Sequence, residues 1–288
     1  MLFSRASFLG LVGAGLLACV GDTPVATPGQ DSGVDATNDT GTGKDAGTDS
    51  PTEAGPAFDH TGLVLWLDAQ TVSTTSGKVT KWPDQSGMGN DATQSVAADQ
   101  PGYATNVKNA LPGVDFGPKT FLQIPTGAGF DDFTAGISLF VAVKPTMQYP
   151  QVVSPFLRLA SSTADPAPNA VQFLRRATDV SFEVTDGTGA MTDNLHGDIV
   201  VQNEFALYEA VVAGSSGTLY KNGASIFSTA TFPAPAKIAR TSNFVGGDSD
   251  VALHTVEGQY GEVMLFATGL SDVKRKEVEK YLMTKWNL

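Results

Sequence analysis

The sequence predicts an all-β fold, and three observations carry that prediction. From Phe58 onward, apolar and polar residues alternate in strand-length runs separated by Gly, Asn, Asp and Ser, the pattern of half-buried strands. The stretch from Leu63 to Asp91 reads as a strand, a Ser/Thr/Gly turn, a second strand ending in Trp82, and a polar loop. Asn222-Gly223 stands between two short runs of strand-forming residues, and this dipeptide favours the positive φ angles of a two-residue hairpin turn.

Taken in order, Leu63, Leu65 and Leu67 point to one side of the first strand and Val64, Trp66 and Asp68 to the other. Both faces are largely apolar, which marks a central strand. Trp66 and Trp82 have two readings, sugar-stacking platforms or core, and a tryptophan inside a strand favours core. The loop 83–94 brings Asp84, Asn90 and Asp91 together with two glycines. That set suits Ca2+, which takes carboxylate and amide oxygens, and equally suits an Asx-rich turn capping its own backbone. Strands follow at 113–116, 120–124, 136–144, 152–159, 170–175 and 180–185. The polar, Gly-rich segment from Asp186 to Asp198 reads as a long loop, with Asp193, Asn194 and His196 as candidates for a metal or sugar hydroxyls against simple solvation. A strand at 205–212, the hairpin at 219–226 and a loop at 246–250 come next, the loop offering Asp248 and Asp250 as further ligand-binding candidates. In the last strand, 259–266, Tyr260, Glu262, Met264 and Phe266 share one side, and Glu262 there needs a basic partner, backbone donors or a metal. Ser271 caps a closing helix whose apolar stripe is Val278, Tyr281, Leu282 and Trp286.

The net charge of −12 and pI near 4.5 argue against nucleic acid as a partner. The basic residues that do cluster, Arg175-Arg176 and Lys274-Arg275-Lys276, read as solvated faces. Residues 1–18 carry Arg5 and a short, Gly-rich apolar run, too short to span a bilayer and suited to an export signal. Leu16-Leu17-Ala18 before the single cysteine, Cys19, resembles a bacterial lipobox, which implies lipidation of Cys19 and membrane anchoring. Val20 rather than Asp after it implies the outer membrane of a Gram-negative cell. Residues 19–57 then form an acidic Thr/Gly/Pro/Asp-rich linker that cannot bury enough apolar surface to order itself. From Gly21 on it has a flexible reach of roughly 35 Å. No cysteine remains for disulfides, so residues 58–288 depend on their core, and a monomer is expected.

The spacing WLDA, then W-x-D-x-S-G-x-G-N-D, resembles the opening of laminin-G-like members of the concanavalin A-like lectin/glucanase superfamily. Tyr220-Lys221-Asn222-Gly223 and the closing Y-G-E-V-M-L-F with its helix pattern are similar to the same family. The resemblance covers residues 59–288. It implies a two-sheet antiparallel jelly-roll sandwich with a short C-terminal α-helix. It also implies a binding role toward carbohydrate or a surface protein. The family also contains glycosidases, whose paired carboxylates sit on one strand face. No such pair occurs here: Glu183 and Asp186, and Glu204 and Glu209, lie on opposite strand faces, and Glu262 has no acid two or four residues away. The expectation is a tethered, non-catalytic glycan- or protein-binding domain. A polysaccharide hydrolase or lyase with an unusual site is the alternative, and a ligandless spacer lipoprotein a third.

Overall fold

The computed structural model describes residues 58–127, 129–146, 154–176, 179–198, 200–247 and 256–288. Cys19 and the linker lie outside the described residues, as do Asp248 and Asp250. Strands β1 (Leu63–Asp68), β2 (Ser73–Thr75), β3 (Lys78–Trp82) and β4 (Ala92–Thr93) open the domain. They are followed by β5 (Gly102–Lys108), β6 (Leu111–Phe116), β7 (Leu122–Ile124) and β8 (Ile137–Pro145). The middle of the chain gives β9 (Ser154–Ala160), β10 (Val171–Arg176), β11 (Asp179–Thr185) and β12 (Met191–Asp198). Then come β13 (Ala206–Ala213), β14 (Ser216–Lys221), β15 (Ala224–Thr229), β16 (Ser242–Val245), β17 (Gly258–Phe266) and the helix α1 (Asp272–Trp286).

Every strand pairing is antiparallel, as expected, but the strands do not separate into two sheets. One series runs β1-β17-β8-β13-β14-β15 and the other β4-β7-β16-β9-β10-β11-β12. They are continuous because β5 pairs with both β3 and β6, and β6 pairs in turn with β17, carrying hydrogen bonds around the corner. On the far side β12 comes up to β15. A Cβ on Gly197 would lie 3.0 Å from the Ile226 side chain, so the sheet nearly closes on itself. The inward residues of both series, among them Leu65, Val141, Val263, Leu157, Phe173 and Phe182, make one core.

Four strands of the first series, β1, β17, β8 and β13, are buried on their outer face too, which explains the two apolar faces of β1. Trp66, Phe140, Leu207, Met264 and Phe266 meet Val278, Leu282 and Trp286 of α1. Trp66 and Trp82 are therefore both interior. A β-bulge between Tyr260 and Glu262 corrects the expected single face of β17: Tyr260 turns into the main core, while Glu262, Met264 and Phe266 face the helix. The bulge residue Gly261 is needed for close approach, since a Cβ there would sit 2.4 Å from the Trp286 ring.

Two buried carboxylates fasten α1. Glu262 accepts hydrogen bonds from Trp66 Nε1 (2.6 Å), Tyr281 Oη (3.1 Å) and Trp286 Nε1 (3.1 Å), and pairs with Lys285 Nζ at 2.8 Å. Of its three sequence readings, the basic partner holds. Lys285 also reaches Asp68 at 2.7 Å. Glu209 pairs with Arg275 at 2.9 Å, and Arg275 further engages Glu279 and Asp272 while lying over the Tyr220 ring. Arg275 is thus buried rather than part of a solvated basic face.

The polar loop after Trp82 is an interlocked set of Asx turns. Asp84 accepts from Trp66 N, Ser86 N, Ser86 Oγ and Asn90 N, at 2.9, 2.9, 2.7 and 2.9 Å. Asp91 accepts from Asp84 N (2.8 Å) and pairs with Lys81 (2.5 Å), and buried Asn90 donates to Val64 O (2.7 Å). Both oxygens of Asp84 and of Asp91 are thereby engaged with N–H or O–H donors, and among the described residues no cluster of three or more His, Cys, Asp or Glu has metal-binding geometry.

The expected segment 186–198 loop is instead a hairpin: Asp186 accepts from Thr188 N and Ala190 N, and β12 then runs back along β11. Its apolar signal is thin because it lies at the end of its series, where Leu195 alone of its described side chains joins the core.

Two outcomes follow. Asp84→Ala removes four hydrogen bonds and is expected to cost about 2–4 kcal/mol in urea unfolding, by the same amount with or without a chelator. A loss that appears only when Ca2+ is present would favour the calcium reading. Burial raises the Glu209 carboxyl from 4.5 up to about 8, against the opposing Arg275. Folded Glu209 therefore holds its proton more tightly than unfolded Glu209, so its contribution is full below the unfolded value and is lost as pH rises toward 8. Glu262 is shifted in the same direction by burial. Exposed acids such as Asp132, held down by Thr134 and Lys237, act in the opposite sense and only in acid. Stability should decline between about pH 5 and 8, and Glu209→Gln should flatten that decline. An unchanged slope in Glu209→Gln would contradict the assignment.

Candidate functional site

Unlike β1, β17, β8 and β13, β9–β12 carry no helix on their outer side among the described residues. Strand alternation sends Val171, Phe173, Val180 and Phe182 inward and leaves polar residues outside. The register sets Arg158 opposite Gln172, Gln172 opposite Glu183 and Glu183 opposite Asn194, one row straight across four strands. A neighbouring row holds Pro155, Leu174, Ser181 and His196.

Part of this face sinks into a cleft of about 220 Å³ whose floor is Arg158, Gln172, Leu174, Arg176 and Glu183. Glu183 is only 3% exposed. Its Oε1 accepts from Arg176 Nε (2.9 Å), Arg176 Nη2 (2.6 Å) and Ser181 Oγ (2.9 Å), which fixes the carboxylate in the floor. The rim is the segment 161–169. Arg158 Nη2 donates to Ala164 O (3.0 Å), and Thr185 Oγ1 donates to Ala167 O (2.5 Å) while accepting from Ala170 N (2.7 Å). Gly189 lets the opposite turn approach: its φ is +87°, and a Cβ would lie 2.5 Å from Pro166 O. Two guanidiniums, Arg158 and Arg176, stand against two carboxylates, Glu183 and Asp165, so the cleft is balanced in charge. Chemically it presents a carboxylate, guanidiniums and an amide side by side, the donors and acceptors that vicinal hydroxyls satisfy.

Of the sequence candidates, Asn194 and His196 are brought onto this face and are exposed, His196 Nδ1 lying 2.8 Å from Asp179 Oδ2. Asp193, one residue along, faces the other way. It lines a separate cleft of about 330 Å³ with Asn169, Asp186, Arg240 and the Pro233–Ala236 segment. Asp84, Asn90 and Asp91 belong to the loop that braces β1. The residues that sequence reading missed are Arg158, Gln172, Arg176 and Glu183. Their signal was the polar half of each alternating strand, which looks the same for a solvated face and for a binding floor. Arg175 and Arg176 do not form one solvated pair either: Arg175 is buried, which lowers its pKa against the opposing influence of Tyr208 and Tyr260, and Arg176 alone faces outward.

No protein-family model matches the chain, and no curated protein sequence matches it. Among solved structures, domain 4 of AbnA, a GH43 extracellular arabinanase from Geobacillus stearothermophilus solved in complex with arabinotriose, is similar with a TM-score of 0.54 and 13% identity. The match covers 77% of this chain and 99% of that one. The binding domain of Paraclostridial Mosquitocidal Protein 1 is similar with a TM-score of 0.52 and 11% identity over 76% of this chain. This chain spans only about half of that domain, 52%. At these identities the likeness is one of fold alone, that of an antiparallel β-domain.

Proposed function

We propose that the chain is a lipid-tethered, non-catalytic module that binds glycan on the outer face of β9–β12. The observation that carries this reading is the row Arg158–Gln172–Glu183, a polar cleft floor that exposed Asn194 continues on β12, on strands that α1 leaves uncovered. A buried carboxylate prefixed by a guanidinium and a hydroxyl offers oriented hydrogen bonds at low ordering cost, which favours neutral sugar hydroxyls. The fold neighbour solved in complex with arabinotriose supports a saccharide as the ligand class. The net charge of −12 disfavours polyanionic glycans. In this reading the fold is a concanavalin A-like, laminin-G-like jelly roll whose continuous hydrogen bonding closes its corner. Cys19 carries the lipid, and the acidic linker holds a monomeric domain away from the outer membrane.

The enzyme alternative has one observation in its favour, since Asp165 lines the same cleft as Glu183. Both readings meet on a glycan array followed by an assay of released reducing ends and unsaturated products. The binding reading expects retention of a neutral glycan without product, weakened about tenfold or more by Glu183→Gln, which is about 1.4 kcal/mol, and unaffected by Asp193→Ala on the other side of the sheet. Product formation abolished by Glu183→Gln would favour the hydrolase or lyase. An array on which nothing binds would leave the spacer lipoprotein. The anchor is tested separately: metabolic labelling with a fatty acid should mark the chain and fail in Cys19→Ser, and labelling that survives would contradict the lipidation assignment.

A further inference from the structure

We infer that the same face carries a second, uncharged saccharide subsite near its β4–β7 end, so that the ligand is an extended neutral chain rather than a single terminal sugar. This rests on the glycan reading above. The row continues beyond Arg158: Arg158 lies opposite Phe244 of β16, Phe244 opposite Gln123 of β7, and Gln123 opposite Thr93 of β4. At that end the surface opens into a cleft of about 420 Å³ lined by Thr80, Thr93, Gln94, Ser95, Gln100 and Gln123. Every one of these side chains ends in a hydroxyl or an amide, each able to donate and to accept, and none is charged. Lys81, opposite Thr93, is neutralised by Asp91.

The back of this cleft is fixed in advance. Gln94 Oε1 accepts from Val96 N (3.0 Å) and Gln100 Nε2 donates to Gln94 O (2.8 Å), while Thr93 and Gln123 stand exposed at the front. Between the two clefts Phe244 is buried, and half-buried Phe121, edge-on to it at 5.6 Å, supplies the apolar patch against which a sugar ring can lie. From Thr93 to Glu183 there are five strand-to-strand steps, through β7, β16, β9 and β10. At about 4.8 Å per step that is roughly 24 Å along the sheet, beyond the reach of a mono- or disaccharide. One chain lying across the strands therefore meets an amide-and-hydroxyl cleft, an aromatic patch and a charge-balanced cleft in succession.

The test is titration calorimetry of the full chain with linear arabino-, xylo- and manno-oligosaccharides from dimer to octamer. For a series that binds, affinity is expected to rise tenfold or more from dimer to hexamer, about 1.4 kcal/mol. The double variant Thr93→Val/Gln123→Ala should abolish that rise and leave the dimer unchanged, whereas Glu183→Gln weakens every length. Both altered side chains are exposed, and an unchanged melting temperature would verify that the variant folds. Affinity independent of length, or a rise that the double variant keeps, overturns the second subsite while Glu183-dependent binding preserves the glycan reading. Failure of every length to bind sinks both.

Discussion

Glu262 is the contact around which the rest of the molecule is arranged. A carboxylate buried on an otherwise apolar face is costly unless its lone pairs are met. Here three aromatic donors and Lys285 meet them, and three of those four groups, Tyr281, Lys285 and Trp286, belong to the closing helix. With Glu209 and Arg275 repeating the device further along, α1 can sit on only one half of the sheet in one register. Its apolar stripe covers β17, β8 and β13, and that coverage is what makes the two halves of the sheet unequal.

The inequality shapes the surface. A sheet half buried on both sides reads as continuous apolar sequence and has no surface to offer. The other half keeps a polar outer face, and the fold places there a carboxylate held by a guanidinium, amides at register positions, and a rim clipped down by Arg158 and Thr185. The rigidity comes from the sheet itself, since every polar floor residue stands on a strand whose alternate side chains are locked in the core.

Much of this architecture was legible in the residues. Asn222 and Gly223 do take positive φ, and Ser271 Oγ does accept from Lys274 N at the head of the helix. Val278, Leu282 and Trp286 form the buried stripe foreseen from their spacing. What the sequence hid was set by long-range contact. The bulge at Gly261 reverses the side on which Tyr260 lies, and nothing local to β17 reveals that Trp286 will press on that glycine. Strand β12 looked like a loop because its pairing to β11 rather than its own composition makes it a strand. The floor residues were harder still: Gln172 and Glu183 alternate with apolar neighbours like any solvated positions, and only cross-strand register brings them into one row.

The most direct test is to map where a bound oligosaccharide lies, by following backbone amide signals in solution as the glycan is added. Perturbations concentrated at Arg158, Gln172, Glu183 and Asn194, and extending through Phe121 to Gln123 with longer chains, are the predicted result. Perturbations confined to α1 or to the 84–91 loop, with the β9–β12 face silent, would contradict it.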